Sequence, residues 1–463
     1  MNTHFKCFVI AGLLFSSCSV NKPFQKPASN TPAAYRNQTN SDTAAIAKIN
    51  WKDFYKDALL QQHIEQALNN NLNLLIAMEN IKISDWYVHQ AKANFLPSIN
   101  ASIQPGYGTP SLNSLDGQGL TSRKGFESYT IGISSSWEID VWQKLKSQKK
   151  AALAGYLKTV AAQQAITSSL IAAVANNYFL LLMYDNQRET LLKTIENRKK
   201  GVETIQALKT AGSVSEVGVK QTEAQLYTAE ALLIDVENKI KLYENALSIL
   251  EGNAPENIKR SSLELQSLDT SLTTGLPIQL LSNRPDIVAA EQNLMYAFQL
   301  TTASKASMYP TLSIGASGGL NSANFSNLFS VNSIFANILG SLTQPILNRK
   351  ALKTNYEVSK NKQQIALYNY KEAVLNGYRE VSDALYNYEA NNKKSVVIKK
   401  ENEALVAAVA YSQELQNQGM ASYLEVLRAQ DNALSTQLTI AQTHFAKLSA
   451  IVQLYNALGG GSK

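Results

Sequence analysis

Two very long proline-free stretches, Trp142–Thr210 and Asn348–Asn417, constrain this chain more than anything else in it. In the first, apolar or aromatic side chains recur at Leu170, Val174, Leu181 and Tyr184 and again at Leu191, Ile195, Val202 and Ile205, the spacing of one face of an α-helix. Asn177, Arg188 and Arg198 interrupt that stripe. Val374, Tyr378, Val381, Leu385 and Tyr388 form a matching stripe in the second. At the rise of an α-helix each stretch would be a rod of about 100 Å, against a usual helix of about 11–12 residues. Rods of that length must lie against other rods. A lone glycine costs a helix only about 1 kcal/mol, so unbroken helices are predicted over 142–210 and 348–417. Shorter helices broken at Gly155, Gly201 or Gly377 are the alternative.

The rest of the chain repeats this plan twice. Ala93-Asn94-Phe95-Leu96-Pro97-Ser98-Ile99 has a counterpart in Ala306-Ser307-Met308-Tyr309-Pro310-Thr311-Leu312, and the same offset aligns Asn71-Leu72-Asn73-Leu74 with Arg284-Pro285-Asp286-Ile287. Farther on, Ala211-Gly212-Ser213-Val214-Ser215 matches Gln418-Gly419-Met420-Ala421-Ser422. Each half reads as helix, strand, loop, strand, very long helix, glycine turn, helix. The divisions follow: a first repeat over 51–250, a linker over 251–275, a second repeat over 276–456 and a tail over 457–463.

The expected strands lie at about 97–108, 126–141, 309–319 and 332–346. Between Tyr129 and Val141 the odd positions carry Ile131, Ile133, Trp137 and Ile139, while the even ones carry Thr130, Ser134, Ser136, Glu138 and Asp140. A period of two places one face in an apolar medium and the other in water. Ile99, Ala101 and Ile103 alternate likewise, as do Leu312, Ile314 and Ala316; residues 333–346 alternate poorly. Four such strands form either the half-buried edge of a soluble sheet or part of a membrane barrel. A barrel in lipid must close, because open edges leave backbone groups unsatisfied, and barrels have at least about eight strands. Two, three or four chains would then share one barrel, with all helices on one side of the membrane.

The N-terminus names that side. Lys6 precedes an apolar run from Phe8 to Phe15, too short to span a bilayer, which ends in Ser16, Ser17 and Cys18. This is the layout of a cleaved signal over 1–17. Ser16-Ser17-Cys18 resembles a bacterial lipobox, in which Cys18 becomes the acylated, palmitate-bearing first residue, and residues 18–50, with Pro23, Pro27 and Pro32, form a tether. The other cysteine, Cys7, leaves with the signal, so no internal disulfide is expected.

Composition narrows the function. Charged residues are 17% of the chain and its net charge is +7, but the cations are scattered over helices, which leaves no nucleic-acid footprint. The histidines at 4, 63, 89 and 444 fall in no metal-ligand spacing, and no phosphate loop or nucleophile elbow is present. Glu138 and Asp140, two apart on a strand, read as water-facing wall residues rather than a hydrolytic pair. No catalysis, cofactor or metal is expected. A scaffold of coiled coils would explain the long helices but not the alternating strands, and a diffusion porin would need many more strands.

Leu276-Pro277-Ile278-Gln279-Leu280-Leu281 followed by Arg284-Pro285-Asp286-Ile287 and Ala290-Glu291, together with Trp51, Phe54, Asp57 and Leu59, resembles the TolC-like outer-membrane efflux proteins, in the lipoprotein branch of OprM-like and NodT-like channels. The likeness spans nearly the whole mature chain, with Asn283 where the family has a first arginine. It implies a mainly α protein with a small β part: a homotrimer whose twelve strands close one barrel, continued by twelve packed periplasmic helices. It implies an exit duct for small molecules such as drugs, served by a periplasmic adaptor and an inner-membrane transporter of the resistance–nodulation–division type. Outlets for secreted proteins or metal ions are the alternatives within the class. The implied docking turns are Gly212, Ser213 and Val214 with Gly419, Met420 and Ala421. Glu425 matches the first acidic ring of the family's closed tip, Arg428 replaces the second, and Gly218 stands where an acid is frequent. Arg284-Pro285-Asp286-Ile287 reads as structural, with Pro285 at a helix start and Asp286 in its first turn. The cargo is not written in the chain.

Overall fold

The computed structural model describes residues 23–27, 35, 46–109, 111, 125–268 and 277–462. Cys18, the signal over 1–17 and most of the tether lie outside the described residues. In chain order the main helices are α1 (Ala58–Asn70), α2 (Leu72–Ala93), α3 (Lys144–Thr210), α4 (Glu216–Leu250), α5 (Pro285–Ala306), α6 (Ala351–Asn417) and α7 (Tyr423–Ala457). The strands β1 (Ser98–Gly108) and β2 (Phe126–Ile139) lie between α2 and α3, and β3 (Thr311–Ser322) and β4 (Ile334–Thr343) between α5 and α6. Paired helices agree in length: α2 and α5 have 22 residues each, α3 and α6 have 67, and α4 and α7 have 35. Neither long helix breaks at Gly155, Gly201 or Gly377. A Cβ on Gly377 would meet Ile287 at 3.2 Å and Arg284 at 3.4 Å, so this glycine serves close approach.

The chain falls into two compact units. The first, Met1–Ala28, Lys82–Lys158 and Glu291–Asn369, holds one antiparallel sheet in the order β1-β2-β3-β4. Its register carries the alternation across all four strands. Ile99, Ala101 and Ile103 pair with Ser135, Ile133 and Ile131; Ile133, Trp137 and Ile139 pair with Gly318, Ile314 and Leu312; and Leu312, Ala316 and Leu320 pair with Leu342, Ile338 and Ile334. One face is therefore an apolar sheet, with Ile103 and Ile338 76% and 84% exposed in the single chain. β4 alternates poorly because Phe335 and Leu339 sit on the other face, opposite Gly319 and Gly315. β1 and β4 each pair on one side only.

Both strand-to-helix junctions are longer than expected. β2 ends at Ile139 and α3 begins at Lys144, not 141 and 142; β4 ends at Thr343 and α6 begins at Ala351, not 346 and 348. Gln143, Arg349 and Lys350 have φ of 60°, 56° and 63°, which no helix or strand tolerates, and Pro345 has no N–H to donate to a ladder. The reading of Glu138 and Asp140 as strand-wall residues needs correction at Asp140, whereas Glu138 lies within β2 opposite Ser313. Asp140 lies beyond the strand and accepts from Leu145 N (2.9 Å) and Lys146 N (2.7 Å), capping α3. Glu138 pairs with Lys144 at 2.6 Å.

The second unit, Ser29–Ile81, Thr159–Ala290 and Tyr370–Lys463, packs the remaining helix lengths. α3 has one stretch apolar and long enough to cross a membrane, and 61% of it is buried inside the protein. Leu170, Val174, Leu181, Leu191, Ile195 and Ile205 of its stripe are buried. Phe54 stacks on Tyr455 at 4.1 Å, whose hydroxyl donates to Ile49 O at 2.7 Å. The most diagnostic sequence stretches are structural. Asp57 caps α1 and also accepts from Ser261 Oγ, Gln266 Nε2 (2.7 Å) and Tyr178 Oη (2.9 Å); burial pushes its carboxyl up, but these hydrogen bonds outweigh it and hold the carboxyl below the usual range. Arg284 is buried, donates to Ala457 O at 2.8 Å and pairs with Asp286 (2.6 Å) and Glu380 (2.7 Å).

Candidate functional site

The two long helices end in the same way. At the end of α3, Gly212 N donates to Lys209 O (2.8 Å) and Ser213 N to Leu208 O (2.9 Å), with Gly212 at φ +79°. At the end of α6, Gly419 N donates to Gln416 O (2.9 Å) and Met420 N to Leu415 O (2.8 Å), with Gly419 at φ +72°. Both are Schellman closures, in which a left-handed glycine satisfies the last carbonyls. Ser215 and Ser422 then start α4 and α7 as N-caps. Gly212, Ser213, Gly419 and Met420 are exposed; Val214 and Ala421 are half-buried. The turns are alike in backbone but not in chemistry: Lys209 pairs with Glu216 across the first, while Gln416 and Tyr423 hold those places at the second.

Behind the turns, α3, α4, α6 and α7 line a cleft of about 810 Å³. Thr194, Asn197, Thr222, Gln225, Gln413 and Gln430 make much of it polar. Arg198, one of the interruptions in the apolar stripe of α3, is buried there. Its guanidinium donates to Gln225 O and to Asp431 Oδ1 (2.5 Å), and Gln225 Nε2 donates to Asp431 Oδ2 (2.6 Å). Only 5% of the Arg198 side chain is exposed, against 43% for Asp431. Tyr423 also lines the cleft; burial raises its pKa, against the lowering effects of a Thr222 hydrogen bond and of Arg198. The clip thus joins helices from the two halves 233 positions apart. Sequence reading missed Asp431 because nothing local marks an exposed acid as the partner of a distant buried arginine.

Glu425 and Arg428 are exposed and do not line this cleft, to whose wall α7 contributes Tyr423, Val426, Leu427 and Gln430 among others. Ser422 and Glu425 have capping-box spacing, but Ser422 makes no side-chain cap and Glu425 has no ion pair among the described residues. Gly218, at the matching place on α4, has no room for a larger side chain unless Val214 shifts: a Cβ would lie 2.7 Å from Val214 Cγ1. Among the described residues no group of three His, Cys, Asp or Glu could hold a metal ion.

Away from the tip, the second unit buries a further polar network. Glu251 is 1% exposed and lies 2.6 Å from His63 Nδ1, while His63 Nε2 contacts Lys259 O at 2.8 Å. Burial depresses the imidazole pKa, but Glu251 and the Lys259 carbonyl outweigh it and leave the value raised. Arg260 bridges Asp185 and Glu244. These groups tie the segment after α4 back to α1 and α3, and Asp185, Glu244 and Arg260 line an open cleft of about 630 Å³ together with Arg188 and Glu237.

A family profile described as Outer membrane efflux protein matches residues 63–253 and 276–460. The solvent efflux pump outer membrane protein SrpC of Pseudomonas putida is 29% identical over 460 residues, covering 98% of this chain and 97% of that protein. The cation efflux system protein CusC of Escherichia coli is 26% identical over 453 residues, covering 97% of each. The open-state structure of the MtrE outer membrane channel of Neisseria gonorrhoeae superposes with a TM-score of 0.85 at 26% identity, covering 96% of this chain and 99% of that one. With both repeats matched along nearly their whole length, this chain belongs to the outer membrane efflux protein family.

Proposed function

We propose that the protein is the trimeric exit duct of a tripartite efflux pump, anchored at Cys18 in the outer membrane, with its helices in the periplasm. The observation that carries this is the four-stranded sheet, apolar in register on one face and unpaired at β1 and β4. In lipid those edges must be satisfied, and β4 of one copy against β1 of the next does so. Three copies supply twelve strands, above the minimum of about eight. The division into signal, tether, two repeats and linker follows the same plan.

An adaptor docks at the turns of Gly212, Ser213 and Val214 and of Gly419, Met420 and Ala421, and a transporter of the resistance–nodulation–division type supplies energy. Exposed and unpaired among the described residues, Glu425 forms a cation-attracting ring at the constriction when three copies meet, with Arg428 beside it. Docking shifts the tip from closed to open, against the Arg198–Asp431 clip. The cargo is a small molecule. Cation export is the second reading, favoured by the full-length likeness to CusC.

Photo-crosslinking in cells with probes at Ser213 and Met420, followed by mass spectrometry, tests the docking turns. An adaptor is the expected capture, and the transporter recovered with it separates solvent-type from cation-type cargo. No capture by correctly inserted protein overturns the docking assignment.

A further inference from the structure

The register of the sheet defines two ends. Ser98 lies opposite Ser136, Ile139 opposite Leu312, and Thr311 opposite Thr343, so the starts of β1 and β3 and the finishes of β2 and β4 share one end. Lys92 precedes β1, and Lys305 holds the matching place before β3. Lys144, Lys146 and Lys149 follow β2, and Arg349, Lys350 and Lys353 follow β4. Against these cations stand Asp140, whose carboxylate is already occupied capping α3, and Glu138, which is taken by Lys144. At the opposite end, among the described residues, Glu127 is charged and no cation is present; Arg123 and Lys124 of that loop lie outside the described residues.

The cationic end is also amphipathic. Trp142 stacks on Tyr309 at 5.0 Å and donates to Pro310 O at 2.7 Å, and Trp137 donates to Phe95 O at 2.9 Å. Ile346 and Leu347 are 92% and 96% exposed, immediately before Arg349 and Lys350. An apolar strand face, then indoles, then cations is the sequence of environments met on leaving a bilayer core through its headgroups. Ile346 and Leu347 lie beyond the end of β4, and among the described residues the cations of this end have no ion-pair partner apart from that of Lys144.

We propose that this collar binds the anionic headgroups of phospholipids in the periplasm-facing leaflet, fixing the depth of the barrel by electrostatic attraction as well as by apolar burial. The proposal rests on the reading that the sheet spans the membrane. Lys146, Arg349, Lys350 and Lys353 are exposed and carry most of the attraction, since none of the four is engaged with a carboxylate among the described residues.

The test reconstitutes full-length protein, in a Trp86→Phe background that removes the other exposed indole of this unit, into vesicles containing brominated phosphatidylglycerol or brominated phosphatidylcholine. Quenching of Trp137 and Trp142 reports which lipid surrounds the collar. A preference of roughly fivefold for the anionic lipid is expected at low salt, falling toward one at about 0.5 M salt. Replacing Lys146, Arg349, Lys350 and Lys353 together by Gln should abolish the preference, and Arg349→Lys should retain it. Strong quenching without preference in the unsubstituted collar overturns the proposal and leaves the spanning reading intact. No quenching by either lipid overturns the spanning reading itself.

Discussion

The Arg198–Asp431 clip makes an unequal prediction for its two partners. Arg198 is 5% exposed at its side chain and Asp431 43%. Asp431→Ala removes the carboxylate and leaves a guanidinium buried with the Gln225 carbonyl as its hydrogen-bond acceptor. Breaking a buried pair in that direction costs about 3–5 kcal/mol. Arg198→Met instead removes the buried charge, keeps the volume and leaves a carboxylate that water reaches and Gln225 Nε2 still binds. That loss should be about 1–2 kcal/mol. With Arg198→Met in place, adding Asp431→Ala should cost only about 1 kcal/mol further, the loss of the Gln225 hydrogen bond, so the double variant should be more stable than Asp431→Ala alone. The cycle is read by denaturant unfolding of the purified protein at constant concentration, with conductance in planar bilayers as a second readout, where each single variant should raise the open probability. Equal, additive losses would refute the reasoning, because they would mean that Arg198 is as well hydrated as its partner.

Gly419→Ala should cost about 1 kcal/mol, the strain of a left-handed alanine, since a Cβ there meets nothing within 4 Å. Gly252→Ala, at φ +75° with the backbone of Asn70 2.5 Å from the new Cβ, should cost several times more in the same unfolding assay. Glu425→Ala should weaken cation selectivity in single-channel recordings, and unchanged selectivity would remove Glu425 from the pore. The raised pKa of His63 gives a sign: the bound proton stabilises fully below the unfolded value of 6.5, and that contribution fades as pH rises through the higher folded value. His63→Gln should therefore lose about 1–3 kcal/mol near pH 6 and distinctly less near pH 9; an equal loss at both would separate His63 from Glu251.

Much of this protein is legible in one dimension because its elements are long and periodic. The four-and-three stripe of α3, the two-residue alternation of β2 and the glycine closures at Gly212 and Gly419 are each dictated by backbone geometry acting over a few neighbours, so the residues alone determined the rods, the strands, the turns and the family. Only tertiary structure decided which strand edges stay open, that Phe335 and Leu339 of β4 share the polar face, and that Asp140 leaves the sheet to cap α3. It also decided that Arg198 meets Asp431 and that Arg284 meets Glu380. Those partners are separated by tens to hundreds of positions, and a charge carries no local mark of what will neutralise it. Burial creates the need for a partner, and burial exists only once the helices have packed.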